Sequence, residues 1–168
     1  MKTLSRLNKK VKKFIQLSWK EKKYITEAFF LTGLFRFAIL FIPFNKLASF
    51  AGIYNEESFE QINAFENINV KKIGWSISVA SKYTPWESKC LVQALTAQSM
   101  LKKRNISGTL YLGVAKDKKN NPIAHAWIRS GDIIVTGGSV CNCFTTVAKF
   151  ANSLRIPLRG GEKHERME

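Results

Sequence analysis

Apolar residues in the first half of the chain recur every three or four positions, the spacing that places side chains on one face of an α-helix. A first helix is predicted by four such residues with lysines between them: Leu4, Leu7, Val11 and Phe14. Ser18 followed by Glu21 is a capping-box pattern, and it predicts that a second helix begins near Trp19. A further helix is predicted over residues 67–83. The N-terminal half is therefore expected to be helical.

The most apolar stretch of the chain runs from Ala28 to Phe44 and reads AFFLTGLFRFAILFIPF. A membrane-spanning helix needs about 20 consecutive apolar residues. This stretch is shorter, has Arg36 in its middle and has Pro43 near its end, and a charge inside a bilayer is costly. We therefore predict a buried or interfacial helix here rather than a transmembrane one.

The pattern changes after Pro85. Ser88 is the predicted N-cap of a helix that ends in the cations Lys102 to Arg104, which suit a helix C-terminus. Three strand-like runs follow: 109–115, 123–129 and 133–136. Ser130-Gly131 predicts a tight turn between the last two runs. The second half is thus expected to be one helix leading into a three-stranded antiparallel meander.

These elements predict an α+β fold. A basic and apolar helical region is expected over residues 1–66, followed by a core over residues 67–168. A length of 168 residues fits one domain with a helical extension. The apolar fraction of 45% is enough for a packed core, which excludes a globally disordered chain.

Charge changes this picture, because the formal net charge is +15. Nine lysines and arginines fall among the first 27 residues, against only Glu21 and Glu27. Such a cluster is either the solvated face of a helix or a surface for an acidic partner or an anionic membrane. The cations are not interleaved with stacking aromatic residues in a recognisable module, so nucleic acid is not an expected partner.

The three cysteines are Cys90, Cys141 and Cys143, a number that does not suggest a disulfide framework. No secretory signal pattern is evident, so a reducing cytoplasm is the expected compartment, with peripheral contact at the inner membrane surface as an open possibility. Cys141-x-Cys143 has no histidine close by in sequence and is too sparse for a zinc site. We expect neither a metal nor a cofactor.

Cys90 and His125 are the candidate catalytic residues. Cys90 falls in the first turn of its predicted helix, where free backbone N–H groups and the helix dipole favour a thiolate, as does the neighbouring Lys89. His125 lies in the middle of a predicted strand and shares a face with Ile123 and Trp127. A histidine can serve such a thiol as its general base. The structural alternative is a small buried cysteine and a core histidine with no chemical role.

Three segments of the chain resemble a known family of enzymes: Trp86–Leu91, Tyr111–Val114 and Ala124–Ile128. These segments resemble the transglutaminase-like core of lasso-peptide leader peptidases in three motifs. The motifs are cysteine-leucine at the start of a helix, leucine-glycine-valine on the next strand, and histidine-alanine-tryptophan followed by an aliphatic residue. Such peptidases are the stand-alone protease form of the B protein of lasso-peptide biosynthesis. The resemblance covers residues 85–138 well and the N-terminal part more loosely.

The resemblance implies a papain-like cysteine peptidase that removes the leader from a ribosomally made precursor before macrocyclisation. It implies Cys90 as nucleophile and His125 as base. It also implies three partners: the leader of the precursor, a separate leader-recognition protein and an asparagine-synthetase-like cyclase. Two alternatives stay open. The same acyl-thioester can be transferred to an amine, as in a transglutaminase-like acyltransferase, or the chain can be a non-catalytic basic scaffold at a membrane surface.

The family usually adds an aspartate on the strand after the histidine. A hairpin turning at Ser130-Gly131 places Thr136 opposite His125, and a loop one residue longer places Gly137 there. Asp132 is the only carboxylate in this segment, and it lies about 13 Å along the strand from that position. The third group is therefore expected to be Thr136, a backbone carbonyl, Asn142 or a residue of a partner protein, and Asp132 is doubtful.

Overall fold

The computed structural model describes residues 16–58, 62–139 and 141–152. The helix predicted from Leu4 to Phe14 lies outside these residues. Within them the chain forms α-helices and one antiparallel sheet, which confirms the predicted α+β fold. The boundary between residues 66 and 67 stays a prediction.

The described residues contain four α-helices: α1 Trp19–Phe41, α2 Phe44–Ala51, α3 Ala64–Ala80 and α4 Cys90–Lys102. α1 begins where the capping box predicts, with Ser18 accepting from the backbone N–H of Glu21. α3 begins earlier than predicted, because Asn63 and Glu66 form a second capping box. Pro43 separates α1 from α2, as expected for a residue that lacks a backbone N–H.

The sheet has five strands: β1 Ile53–Tyr54, β2 Thr109–Lys116, β3 Pro122–Ser130, β4 Ile133–Thr136 and β5 Thr145–Ala151. Their order in the sheet is β1-β5-β2-β3-β4, and every neighbouring pair is antiparallel. The predicted meander of β2, β3 and β4 is confirmed. β1 and β5 were not predicted, and β5, the last of the described strands along the chain, lies between β1 and β2.

The turn between β3 and β4 lies one residue further along than predicted. Ser130 pairs with Ile133, so Gly131 and Asp132 form the turn, and Gly131 has a left-handed φ of 59°. The register then shifts by one residue, and Thr136 pairs with Ile128. The prediction that Thr136 lies opposite His125 was therefore wrong.

Helices α1, α3 and α4 pack on one face of the sheet and share a buried apolar core. Ala28 of α1 and Ile128 of β3 belong to one apolar cluster with residues of α3 and α4. Phe35 of α1 belongs to a second cluster with Leu95 of α4 and Leu110 of β2. The N-terminal helix is therefore part of the same packed unit as the helix that carries Cys90.

By length and composition, α1 could cross a membrane, and it is the one helix among the described residues that meets this test. Arg36, which argues against a membrane span, does not point away from the protein. Its guanidinium lies 3.0 Å from the Glu87 carboxylate.

Candidate active site

Cys90 is the first residue of α4, as the sequence predicts for a nucleophile at a helix start. The N-cap is Lys89 and not the predicted Ser88, and no side chain caps this helix. Ser88 instead bonds the Ser81 hydroxyl through its own hydroxyl and accepts the Gln93 side-chain amide at its carbonyl oxygen. The first backbone N–H groups of α4 consequently have no capping side chain to satisfy them.

The loop before Cys90 is held against α1 by an aromatic contact. The Trp86 ring lies 5.0 Å from the Phe29 ring, and its indole N–H donates to the Thr32 hydroxyl at 3.4 Å. A side chain at Gly33 would come within 2.9 Å of the Trp86 ring. The absence of a side chain at Gly33 therefore lets Trp86 pack closely, and this packing fixes where α4 starts.

A small ion-pair group lies beside the same loop. Glu87 accepts from Arg36 of α1 at 3.0 Å and from Lys89 at 3.3 Å. All three side chains are partly exposed, so the pairs contribute little to stability. Their effect is to orient the segment, and Lys89, the cation next to Cys90, is directed towards Glu87.

Cys90 itself is partly buried. It packs against the apolar cluster that includes Leu95, Leu110 and Ala126. This is the environment of a small apolar residue as well as of a nucleophile at a helix start. The position of Cys90 at the uncapped N-terminus of α4 favours the nucleophile over the buried apolar residue.

His125 lies on β3 opposite Gly113 of β2. Its Nε2 is 2.9 Å from the carbonyl oxygen of Gly137. A carbonyl oxygen only accepts hydrogen bonds, so Nε2 carries the proton and Nδ1 is the acceptor of the neutral ring. The ring also lies 5.1 Å from the Phe144 ring and 6.1 Å from the Trp127 ring.

Gly137 has a left-handed φ of 79°, and a Cβ atom there would lie 2.6 Å from the Ala126 carbonyl oxygen and 3.0 Å from the His125 Nε2. Only glycine fits this conformation and this space. β4 pairs with β3 only from Ile128 to Ser130. Beside His125, β3 therefore has no paired residue of β4, and the backbone of Gly137 lies there instead.

The structure brings the two predicted catalytic residues onto elements that pack together, α4 and β3. No hydrogen bond joins the Cys90 thiol to either ring nitrogen of His125 among the described residues. Side chains alternate along a strand, so the imidazole leaves β3 on the face opposite Ala126. Cys90 packs with Ala126 on the helix side of the sheet, so the thiol and the imidazole lie on opposite faces. Proton transfer between them therefore requires the backbone near one of the two residues to rearrange.

Several groups were candidates for the third catalytic group, which orients the histidine. Of these, the backbone carbonyl of Gly137 is the one that bonds His125. Asp132 is exposed in the β3–β4 turn and makes no hydrogen bond among the described residues. The buried Thr136 hydroxyl has no hydrogen-bond partner. The Asn142 side chain receives only a weak bond from the Cys141 thiol.

A polar network that the sequence did not reveal lies further along the sheet face that carries Trp127. Tyr111 stacks on Trp127 at 5.4 Å, and its hydroxyl bonds the Glu57 carboxylate. Arg129 and Lys149 also contact this carboxylate, at 3.0 and 2.9 Å. Tyr111, Glu57 and Lys149 line a shallow cavity of about 350 Å³ that contains neither catalytic candidate.

Partial burial raises the pKa of Glu57, but hydrogen bonds from Tyr111, Lys149 and Arg129 outweigh burial and lower it from 4.5 to about 2. A carboxylate that is more acidic in the folded state stabilises the fold above its unfolded pKa, and this contribution is lost as the pH falls towards 2. Through these bonds Glu57 connects the segment 53–58 to β2, β3 and β5.

Replacing Glu57 by Gln should remove this pH-dependent stabilisation. We expect the wild type to be more stable than Glu57→Gln above about pH 4.5, and the difference to shrink as the pH falls towards about 2. Urea denaturation of both proteins across this range measures it. Glu56→Gln, at the exposed neighbouring carboxylate, is the matched control and should run parallel to the wild type. A constant difference at all pH values would contradict this assignment.

Comparison with known proteins adds one result. Residues 35–149, more than half of the chain and including both Cys90 and His125, match the family model described as the transglutaminase-like superfamily. No curated protein and no solved structure gives a significant match. Members of this superfamily are usually catalytic, typically as cysteine peptidases or acyltransferases. With its helix-borne cysteine and its histidine-bearing antiparallel sheet, the chain belongs to the transglutaminase-like superfamily.

Proposed function

We propose that this protein is a cysteine peptidase that removes the leader from a lasso-peptide precursor. One observation carries the proposal: a cysteine on the first residue of an uncapped helix packs beside a strand whose histidine is held through Nε2, which leaves Nδ1 to accept a proton. The match to the superfamily supports thiol chemistry. The precursor class rests on the motifs around residues 86–91, 111–114 and 124–128.

In this mechanism, a rearrangement first brings the Cys90 thiol and His125 Nδ1 together. His125 Nδ1 then accepts the thiol proton and the sulphur attacks the carbonyl carbon at the leader–core junction. The imidazolium then gives that proton to the departing amine as the C–N bond breaks, which leaves a thioester on Cys90. Water attacks the thioester with His125 again as base. The thiol is regenerated and the leader leaves with a free carboxylate.

The uncapped start of α4 suits the charge that develops in this reaction. The backbone N–H of Cys90 is our candidate donor to the oxyanion of the tetrahedral intermediates. Since neither Lys89 nor Ser88 caps the helix, no side chain in the described part of the chain competes for these N–H groups. A neutral backbone carbonyl at Gly137 fixes the tautomer of His125 that this cycle requires.

Substrate recognition is proposed to depend on a separate protein. The described residues form one packed unit, in which α1 shares core clusters with α3, α4 and the sheet. They contain no separate module for binding a leader. A leader-recognition protein would raise the effective concentration of the scissile bond at Cys90, and a cyclase would use the released core.

The chain alone should therefore cleave its precursor slowly. Adding a leader-recognition protein should speed cleavage by about tenfold or more, through effective concentration. The measurement is leader release from a lasso-peptide precursor, followed by mass spectrometry. A precursor that keeps the residues around the scissile bond but has the rest of its leader scrambled is the control and should show no acceleration. Equal rates with and without the partner would contradict the division of labour.

The same experiment separates hydrolysis from acyl transfer. Hydrolysis of the thioester gives a leader that ends in a free carboxylate. Transfer to an amine gives a leader amide instead, whose mass differs by the amine in place of water. Mass spectra with and without a primary amine in the buffer therefore test the acyltransferase alternative directly.

A further inference from the structure

The outer face of α1 carries a continuous row of exposed apolar side chains. Phe30, Leu34, Phe37 and Phe41 are 68, 59, 62 and 67% exposed. Their spacing of three and four residues places them on one face of the helix, so we name them the apolar stripe. Large apolar side chains scattered singly are normal on a protein surface, but a contiguous row of this kind marks an interaction site.

The apolar surface continues past the end of α1. Ile42 and Phe44, at the corner between α1 and α2, are also exposed. The stripe spans 12 residues, Phe30 to Phe41, or roughly 16 Å of helix length. The Phe37 and Phe41 rings contact each other at 4.4 Å, so the stripe forms a cohesive surface.

The exposed charged side chains of α1 and α2 are lysines, whereas Glu21 and Glu27 of α1 are partly buried and hydrogen-bonded. Lys20 and Lys23 are exposed on the first turns of α1, and Lys46 is exposed on α2. The sequence from residue 28 to residue 55 contains no aspartate or glutamate. Exposed Trp19 stands next to the lysines at the start of the helix.

We propose that the apolar stripe docks α1 onto an anionic lipid bilayer, with the helix lying in the plane of the interface. Phenylalanine and leucine on one face with lysines at the margins is the composition of interfacial helices. The phenyl rings would enter the boundary between headgroups and acyl chains, and the flanking lysines would contact anionic headgroups. This inference is independent of the catalytic pair.

The inner face of α1 shows why the helix lies on the membrane rather than across it. Ala28, Thr32 and Phe35 are buried in the fold, and Arg36 pairs with Glu87. A helix crossing the bilayer would lose this packing and would bring Arg36 into the hydrocarbon. The stripe can enter the interface while the opposite face keeps its contacts with α3 and α4.

The composition of the surface favours lipid over a protein partner. Protein interfaces surround their apolar centre with a polar rim that includes hydrogen-bonding groups of both kinds. Here the exposed residues between Phe30 and Phe44 are almost entirely apolar, and the exposed charged residues that flank them on α1 and α2 are lysines. A formal charge of +15 adds long-range attraction to an anionic surface.

The test is co-flotation of the full chain with vesicles of phosphatidylcholine, with and without phosphatidylglycerol, at low and high salt. The wild type should float with the anionic vesicles and bind the neutral ones at least tenfold more weakly. The double variant Phe30→Ser/Phe37→Ser should bind anionic vesicles at least tenfold more weakly than the wild type. Val147→Ser, at an exposed apolar residue of β5, is the control and should bind like the wild type.

A second pair of variants separates a local site from net charge. Lys20→Glu/Lys23→Glu should weaken binding more than Lys118→Glu/Lys119→Glu, which makes the same charge change on the exposed β2–β3 loop. Circular dichroism of each variant checks the fold. Three outcomes would overturn the proposal: serine variants that bind like the wild type, retention on vesicles after alkaline extraction, or a dimer in solution that Phe30→Ser/Phe37→Ser makes monomeric.

Discussion

Cys90→Ala should abolish leader removal while leaving the fold intact. No other group can form the thioester in the proposed mechanism, and loss of a catalytic nucleophile removes the covalent route altogether. Cys90 is partly buried at the start of α4, so removing one sulphur atom leaves a small gap and no unpaired buried polar group. The measurement is precursor cleavage in the presence of the leader-recognition protein, followed by mass spectrometry.

The controls for this variant are the other two thiols. Cys141 is partly exposed and Cys143 is exposed, both in the short 3-10 helix after β4. Cys141→Ser and Cys143→Ser should each retain most of the activity. Circular dichroism and thermal melts of all three variants show whether they fold. Normal cleavage by folded Cys90→Ala would end the peptidase assignment.

His125→Ala should slow cleavage by about a hundredfold or more, in line with the contribution of a general base. The imidazole is the only titratable group bonded at the Gly137 carbonyl, and without it neither thiol deprotonation nor amine protonation has a partner. Alanine also removes the ring contacts to Trp127 and Phe144. Thermal melts therefore accompany the rate measurement, and His125→Asn serves as a second variant that keeps a polar side chain of similar size.

Asp132→Asn is the matched comparison, because Asp132 is the only carboxylate between His125 and β5. It is exposed in the turn and bonds nothing among the described residues, so we expect less than a tenfold loss, below ~1.4 kcal/mol in the barrier. If folded Asp132→Asn fell to the level of His125→Ala, Asp132 and not the Gly137 carbonyl would be the third group.

The elements with strong local signals could be predicted from the sequence. α1 follows from the Ser18–Glu21 capping box, and the β2–β3–β4 meander follows from alternating apolar residues. β5 was missed because its half-exposed sequence, TTVAKFA, has no distinctive pattern and its pairing is with distant segments. The β3–β4 turn was misplaced by one residue, because Ser130-Gly131 and Gly131-Asp132 are both acceptable turn pairs.

The candidate site, too, could be predicted from the sequence only in part. The position of Cys90 at a helix start and of His125 within a strand could be predicted from residue types and periodicity. The contact to Gly137 could not, because it depends on a register shift near Ile128 and on a backbone group that no side chain identifies. Glu57 lies in a polar segment with no motif, and only the fold brings it to Tyr111.

The place of β5 in the sheet has a consequence for synthesis of the protein. Of the five described strands β5 is made last, and it lies between β1 and β2, so the edge of β2 stays open until residue 151 has left the ribosome. An unpaired edge strand is a template for aggregation, and pairing between distant segments slows folding. We therefore expect the nascent chain to need protection by chaperones, and a ribosome stalled before residue 145 to display an incomplete sheet rather than a functional enzyme.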